Sequence, residues 1–302
     1  MISVWLRVIR IRFLLASVIA VSVGLAITWW HTGSITVFDA ALTMGGVLAL
    51  HASVDLLNDY WDFKRKIDTV TQRTKMSGGS GVLPEGLLKP GQVYAAGIAF
   101  LVLGTVIGIY FVITYGIIIG AILGFAVVSI YFYSTKIVDW GLAEVFVAIK
   151  GTMIVIGTYF VQTSQISESV ILGGIVVGVL SSLVLIITSF PDHDADKSKG
   201  RKTLVINLGK QKACTFFWIF PIIIYSVTIA AVVISVFPIF CLIILGTIPM
   251  VIKSGKKLKH GYNELNKIIP VMSSTLVFSR LTGVLLIFGF IINIGLQKFY
   301  FC

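Results

Sequence analysis

The sequence predicts an all-α integral membrane protein, with about nine transmembrane helices arranged around a central cavity. Three observations carry that prediction. Of the 302 residues, 57% are hydrophobic and only 12% are charged, and the mean hydropathy is +0.99. A water-soluble domain of this size carries far more charge on its surface. The apolar residues fall in long runs, each near the ~20 residues that cross a hydrocarbon layer. Lysine and arginine gather in alternate connections between those runs.

The runs cover 13–30, 37–57, 92–114, 116–134, 141–163, 170–190, 213–235, 237–253 and 274–297. The first follows "MISVWLRVIRIRFLL", which is basic and then apolar like a signal peptide. Its apolar run is long, and "TWWHTG" after it offers aromatic anchors instead of a small-residue cleavage site. A retained first helix is therefore expected. Arg7, Arg10 and Arg12 precede it, and every other connection after the second run is basic. Apart from Lys150, Arg280 and Lys298, all lysines and arginines, Lys75 included, fall on that one side. The positive-inside rule puts the N-terminus in the cytoplasm and the C-terminus outside, in a multi-pass cell-membrane protein. The net charge of +11 is then topology, and no basic water-exposed module is left to bind nucleic acid. Cys214, Cys241 and Cys302 are odd in number and form no CxxC, so packing is the role expected for them.

Lys150 and Arg280 fall inside spans, and His51, Asp55 and Glu144 lie within or at the edge of spans. Ionisable groups at membrane depth face a polar interior, pair with one another or snorkel to the interface. Lys150 is a candidate substrate contact on that ground, and Glu144 fits the interface.

Two acidic clusters stand out. "LLNDYWDFKRKID", from Leu56, ends the second run. At 100° per residue Asn58, Asp59 and Asp62 share one helical face, which His51 and Asp55 continue into the span, while Asp68 comes from the following loop. Crowded acids repel unless a cation lies between them, and hard oxygens at this spacing suit Mg²⁺ bridged to a phosphate. A solvated helix end is the plain alternative. "SFPDHDADKSKGRKTL" ends the sixth run, with Asp192 and Asp196 on one face and Asp194 pointing away. Two such clusters at the same ends of even-numbered spans, each beside lysine and arginine, resemble an internal duplication converging on a diphosphate.

These residues resemble the UbiA superfamily of intramembrane prenyltransferases, over essentially the whole chain. "NDYWD" is similar to the start of that family's NDxxD motif, and "DHDAD" before "KGRKTL" to its DxxxD motif. Asp68, further along than the family's usual third acid, resembles the menaquinone branch, which prenylates 1,4-dihydroxy-2-naphthoate. "GLAEVFVAIKGTMIVIGTYFV" and "KTLVINLGK" resemble it too. "WLRVIRIRF" is similar to the family's N-terminal Arg-Pro segment, with Ile11 in place of the proline.

The resemblance implies one transmembrane prenyltransferase domain over 1–302, with motif loops 58–91 and 191–212 in the cytoplasm. It implies Mg²⁺, a polyprenyl diphosphate donor, and an aromatic or lipid acceptor met within the bilayer, with no obligate protein partner. Asp59, Asp62, Asp192 and Asp196 are the implied metal ligands. Asn58 and Asp68 complete the catalytic set. Arg10, Lys136, Arg201 and Lys202 are implied substrate contacts, and Tyr131 or Tyr133 either steadies an allylic cation or sits in an interfacial belt. The glycine-rich stretch 76–88 reads as a lid or a plain connector. 4-Hydroxybenzoate or geranylgeranylglyceryl phosphate are alternative acceptors. Two other classes also cluster acids in a membrane protein. A CDP-alcohol phosphotransferase needs DxxDGxxAR, which is absent, and a cation transporter places its charges nearer the bilayer midplane.

Overall fold

A computed structural model describes residues 1–68, 73–74 and 76–300, with side chains as far as Asn293. Lys75, Cys302 and the Lys298 side chain lie outside the described residues. The chain folds as α1 (Ile2–Val8), α2 (Ile11–Thr32), α3 (Val37–Lys64), α4 (Pro90–Tyr115) and α5 (Ile117–Phe132). A π-helical turn (Tyr133–Ile137) follows, then α6 (Ala143–Thr163), α7 (Glu168–Ser198), α8 (Leu204–Leu208), α9 (Lys210–Phe216) and α10 (Ile219–Val233). A 3₁₀ stretch (Ile239–Thr247) leads into α11 (Ile248–Gly261) and α12 (Leu265–Tyr300). Among the described residues 9 helical segments are long and apolar enough to cross a membrane, in the order the sequence predicts.

Small residues let these helices approach closely, as lipid-embedded bundles require. A Cβ on Gly151 of α6 would lie 2.8 Å from the Gly178 Cα of α7. One on Gly104 of α4 would lie 2.6 Å from Leu50 of α3, and the Ser53 hydroxyl donates to the Gly97 carbonyl at 2.8 Å. The largest core gathers Phe190, Phe217, Phe237, Phe278 and Phe290 with aliphatic residues of α2, α7 and α12. Cys214 and Cys241 are free and buried, as packing residues should be.

The helices outrun the apolar runs that predict them. α3 continues to Lys64 and α7 through Pro191 to Ser198, so Asn58–Lys64 and Pro191–Ser198 are helix, where motif loops were expected to begin. Proline removes one backbone hydrogen bond, but tertiary burial of one face overrides hydropathy here. Asp59, Asp62 and Asp196 are 0%, 4% and 5% exposed. Likewise α11 runs to Gly261 and α12 begins at Leu265, taking in lysines that the sequence assigns to a loop.

Candidate active site

The C-terminal turns of α3 and α7 meet at one end of the bundle, above a cavity of about 270 Å³. Asn58 donates to Asp62 at 3.2 Å and accepts from the Ser134 hydroxyl at 2.6 Å, so the π-helical turn fixes the start of the first motif. Arg201, just beyond α7, is the tie between clusters. Its guanidinium hydrogen-bonds Asp62 of α3 and, at 3.1 Å, Asp196 of α7. It is 8% exposed, so this is a buried acid–arginine–acid bridge across two helix ends.

Asp59 differs from its neighbours. One oxygen accepts from the Ser80 backbone N–H at 2.8 Å and from Arg10 at 3.1 Å; the other accepts from the Ser80 hydroxyl at 2.6 Å. Arg10 reaches it because the break between α1 and α2 puts that residue at φ 51, a left-handed conformation costing about 1–3 kcal/mol for a non-glycine residue. Asp59 is absent from the cavity lining, whereas Asp62, Asp192 and Asp196 form part of it.

The stretch 76–88 folds over both clusters. Gly78 N–H donates to Asp192 at 3.2 Å, and Arg7 donates to the Ser80 carbonyl at 2.8 Å and to Glu85 at 2.6 Å. The Arg7 hydrogen bond holds the Glu85 carboxyl below its ordinary range. Gly79, at φ 74, brings backbone against Asp68, whose carboxylate would lie 2.6 Å from any Cβ there. Burial and the nearby charges of Asp62 and Asp59 push the Asp68 carboxyl up to about 7. Like Ser134, Ser80 is a site residue that sequence reasoning missed. Its only sequence signal is a serine between glycines in "GGSGV".

The donor set suits a hard divalent cation. Asp192 Oδ1 and Asp68 Oδ2 are buried carboxylate oxygens without a hydrogen-bond partner, and oxygens so placed are costly unless a cation meets them. Among the described residues no three acid, histidine or cysteine side chains already close on one point. Arg201 instead stands between Asp62 and Asp196.

Other expected residues divide. Tyr133 and Lys150 line the cavity. Tyr131 does not: its side chain is on the outer surface, edge-on to Phe132 at 5.2 Å. Lys136 and Lys202 are exposed and also outside the lining, because the π-helical turn and the entry to α8 direct them outward. Glu144 is buried, not interfacial; it accepts from the Leu204 N–H at 3.1 Å and so pins α8. Asp194 is exposed as its phase predicts, beside His193 at 2.6 Å. Arg280 hydrogen-bonds the Arg12 carbonyl at the cavity edge.

The UbiA prenyltransferase family model matches residues 17–264. A 1,4-dihydroxy-2-naphthoate octaprenyltransferase of Bacillus subtilis is 23% identical over 258 residues, covering 84% of this chain and 79% of that protein. A UbiA homologue from Aeropyrum pernix, solved in the apo state, superposes with a TM-score of 0.69 at 16% identity, over 93% of this chain and 98% of that one. Another from Archaeoglobus fulgidus, bound to GPP and Mg²⁺, gives 0.64 at 15% identity, over 94% and 99%. This breadth of match answers the phosphotransferase and transporter alternatives. The chain belongs to the UbiA prenyltransferase family, enzymes that transfer prenyl groups.

Proposed function

We propose that this enzyme transfers a polyprenyl group from polyprenyl diphosphate to 1,4-dihydroxy-2-naphthoate, with Mg²⁺, in quinone biosynthesis. The observation that carries the reading is the convergence of both acid clusters, joined by Arg201, on the mouth of one membrane-embedded cavity. The name of the B. subtilis relative supports the acceptor, and the Mg²⁺ and GPP of the A. fulgidus relative support metal and donor. Asp62, Asp192 and Asp196 are the holding set, with Asp68 beside them; Asp59 joins when Ser80 releases it. Bound Mg²⁺ supplies neutralisation of the charge that grows on the departing diphosphate.

The rest of the work belongs to the chain's own residues. Arg10 and Arg201 present cations to diphosphate oxygens. The Tyr133 ring lines the cavity below, where its face can steady an allylic cation. Apolar walls exclude water that would quench that cation. A second pocket of about 120 Å³, almost wholly apolar, shares Lys150 and Ile154 with the main cavity and offers room for the isoprenoid tail.

The test is transfer of radiolabel from prenyl diphosphate by the purified full chain in lipid nanodiscs. Mg²⁺-dependent label in 1,4-dihydroxy-2-naphthoate, above that in 4-hydroxybenzoate or geranylgeranylglyceryl phosphate, is expected. Label entering another acceptor instead would overturn the choice. We read the chain as a single domain with its N-terminus and both acid clusters on the cytoplasmic side. Cysteines introduced at Arg73 and Lys199 then resist impermeant thiol reagents applied to intact cells, and labelling from outside reverses the orientation.

A further inference from the structure

The ends of α3 and α7 are tied together outside the cavity as well as inside it. Arg65 is the C-cap of α3, three residues after Asp62, and takes no part in the cavity lining. Its guanidinium reaches three other segments. Nη1 donates to the Ser134 carbonyl of the π-helical turn at 2.7 Å. Both Nη atoms donate to one oxygen of Asp139, each at 3.0 Å. Nη2 donates in addition to the Lys199 carbonyl at 3.3 Å, where α7 ends.

Each carbonyl contact leads to a group of the site. Ser134 is the residue whose hydroxyl holds Asn58, and Asn58 in turn donates to Asp62. Lys199 opens the turn that swings Arg201 back between the acids. Gly200 sits there at φ 80, and the Arg201 N–H returns to the Asp196 carbonyl at 3.1 Å. The Lys202 N–H then donates to the Val138 carbonyl at 3.3 Å, so the segments after the π-helical turn and after α7 also abut directly. Asp139 supplies the counter-charge that carbonyls alone would not give a half-buried cation. These bonds occupy every Nη hydrogen, and none is left for a diphosphate. Arg65 therefore differs from Arg10 and Arg201, which line the cavity. A lysine could pair with Asp139, but its ammonium lacks the planar fork that meets several acceptors at fixed angles.

We infer that Arg65, held by Asp139, is a positioning residue for prenyl transfer. It acts through Ser134 and Lys199, setting how far apart the two acid clusters stand and where Arg201 points. It touches neither substrate nor metal. Catalytic groups displaced by about 1 Å can lose about 10²-fold in rate even when the cause lies away from the chemistry. A fork outside the cavity therefore has leverage within it. The inference rests on reading both clusters as one diphosphate site, and adds the residue that keeps them in register.

Two readouts test it separately from that reading. The first is turnover by the purified full chain in lipid nanodiscs. Arg65→Met should lower kcat about 10²-fold, with the donor KM and the binding of a non-hydrolysable prenyl diphosphate analogue within about threefold of wild type. Asp139→Asn, which keeps the shape and removes the charge, should lower kcat about fivefold, the upper range for a partly exposed pair. Added to Arg65→Met it should lower kcat no further, because Asp139 acts only through Arg65. The second readout needs no activity. Spin labels on cysteines introduced at the exposed Lys64 and Lys197, in a background free of native cysteine, report the separation of the two helix ends. One narrow distance is expected with Arg65 present, and a broadened one in Arg65→Met. An unchanged kcat or an unchanged distance in Arg65→Met, or a loss confined to the donor KM, overturns the inference. A lower melting temperature alone would likewise overturn it and make Arg65 a plain strut. A broadened distance in a chain that transfers no prenyl group to any acceptor would leave the positioning standing and remove only the proposed function.

Discussion

The two acid clusters look alike in sequence and behave differently in the fold. At the end of α3, Asp59 is saturated by the chain itself: Ser80 and Arg10 supply three donors to its two oxygens. At the end of α7, Asp192 holds one backbone N–H from Gly78 and leaves Oδ1 with no partner. Between them, Asp62 and Asp196 share Arg201. One side is therefore strapped and the other open. A carboxylate already hydrogen-bonded must give something up before it can bind a cation, whereas an orphaned one gains at once. The α7 side is then the ready half of the site, and the strap over α3 sets the cost of completing it.

Breaking the shared centre has the largest expected effect. Asp62→Ala, Asp192→Ala and Asp196→Ala should each lower kcat by about 10²–10³-fold, the scale of a lost electrostatic contact in an active site. Because Asp62 and Asp196 act through one arginine, the double variant Asp62→Ala/Asp196→Ala should be little worse than the poorer single one. A double loss equal to the product of the single losses would mean two independent sites.

Next comes the bridge. Removing Arg201 leaves buried carboxylates without their counter-charge, which costs about 3–5 kcal/mol when a buried pair is broken. Arg201→Met should therefore melt well below the wild type without divalent cation. Mg²⁺ should then raise its melting temperature more than it raises that of the wild type, since the ion takes the vacated place between the acids. Equal Mg²⁺ shifts in both proteins would separate Arg201 from the metal position.

Much of this was legible in the sequence because the acids obey helical phase and the spans obey length and hydropathy. Asp62, Asp192 and Asp196 meet as their spacing implies, and Asp194 faces outward as its phase requires. What stayed hidden depends on tertiary contact. Hydropathy does not report that α3 and α7 run past their apolar stretches; only the spacing of the acids does, and burial of one acidic face sustains the extra turns. Ser80 is invisible for the same reason: a loop serine gains meaning only when the chain returns to α3. Lys136 and Lys202 present the opposite case. Their residue type suits diphosphate, but the π-helical turn and the start of α8 aim them away from the cavity.

Loosening the strap tests the asymmetry more gently. Ser80→Ala removes one hydroxyl donor from Asp59, worth about 1 kcal/mol net. If Ser80 competes with the cation for that oxygen, the variant should reach half-maximal activity at about fivefold lower Mg²⁺, with kcat nearly unchanged. A higher Mg²⁺ requirement would instead make Ser80 a support that holds Asp59 in its binding pose.

The smallest expected effect belongs to Asp194, and it checks the helical phase on which the whole α7 assignment depends. Asp194 sits between Asp192 and Asp196 in "DHDAD" and has the same chemistry. α7 is continuous through all three residues, so Asp194 lies on the far side, with its side chain 82% exposed. Its partners are the neighbouring His193 at 2.6 Å and Lys210 at 3.4 Å, and exposed pairs of this kind contribute about 0–1 kcal/mol. Asp194→Ala should hold kcat and the Mg²⁺ requirement within about twofold of wild type, the range such a small energy permits. The comparison with Asp192→Ala and Asp196→Ala, made in one radiolabel assay, isolates phase from composition, because all three variants remove one carboxylate from the same helix end. A loss at Asp194 as deep as at its neighbours would mean that this segment unwinds during turnover and that the acids act from a loop, not from one face of α7.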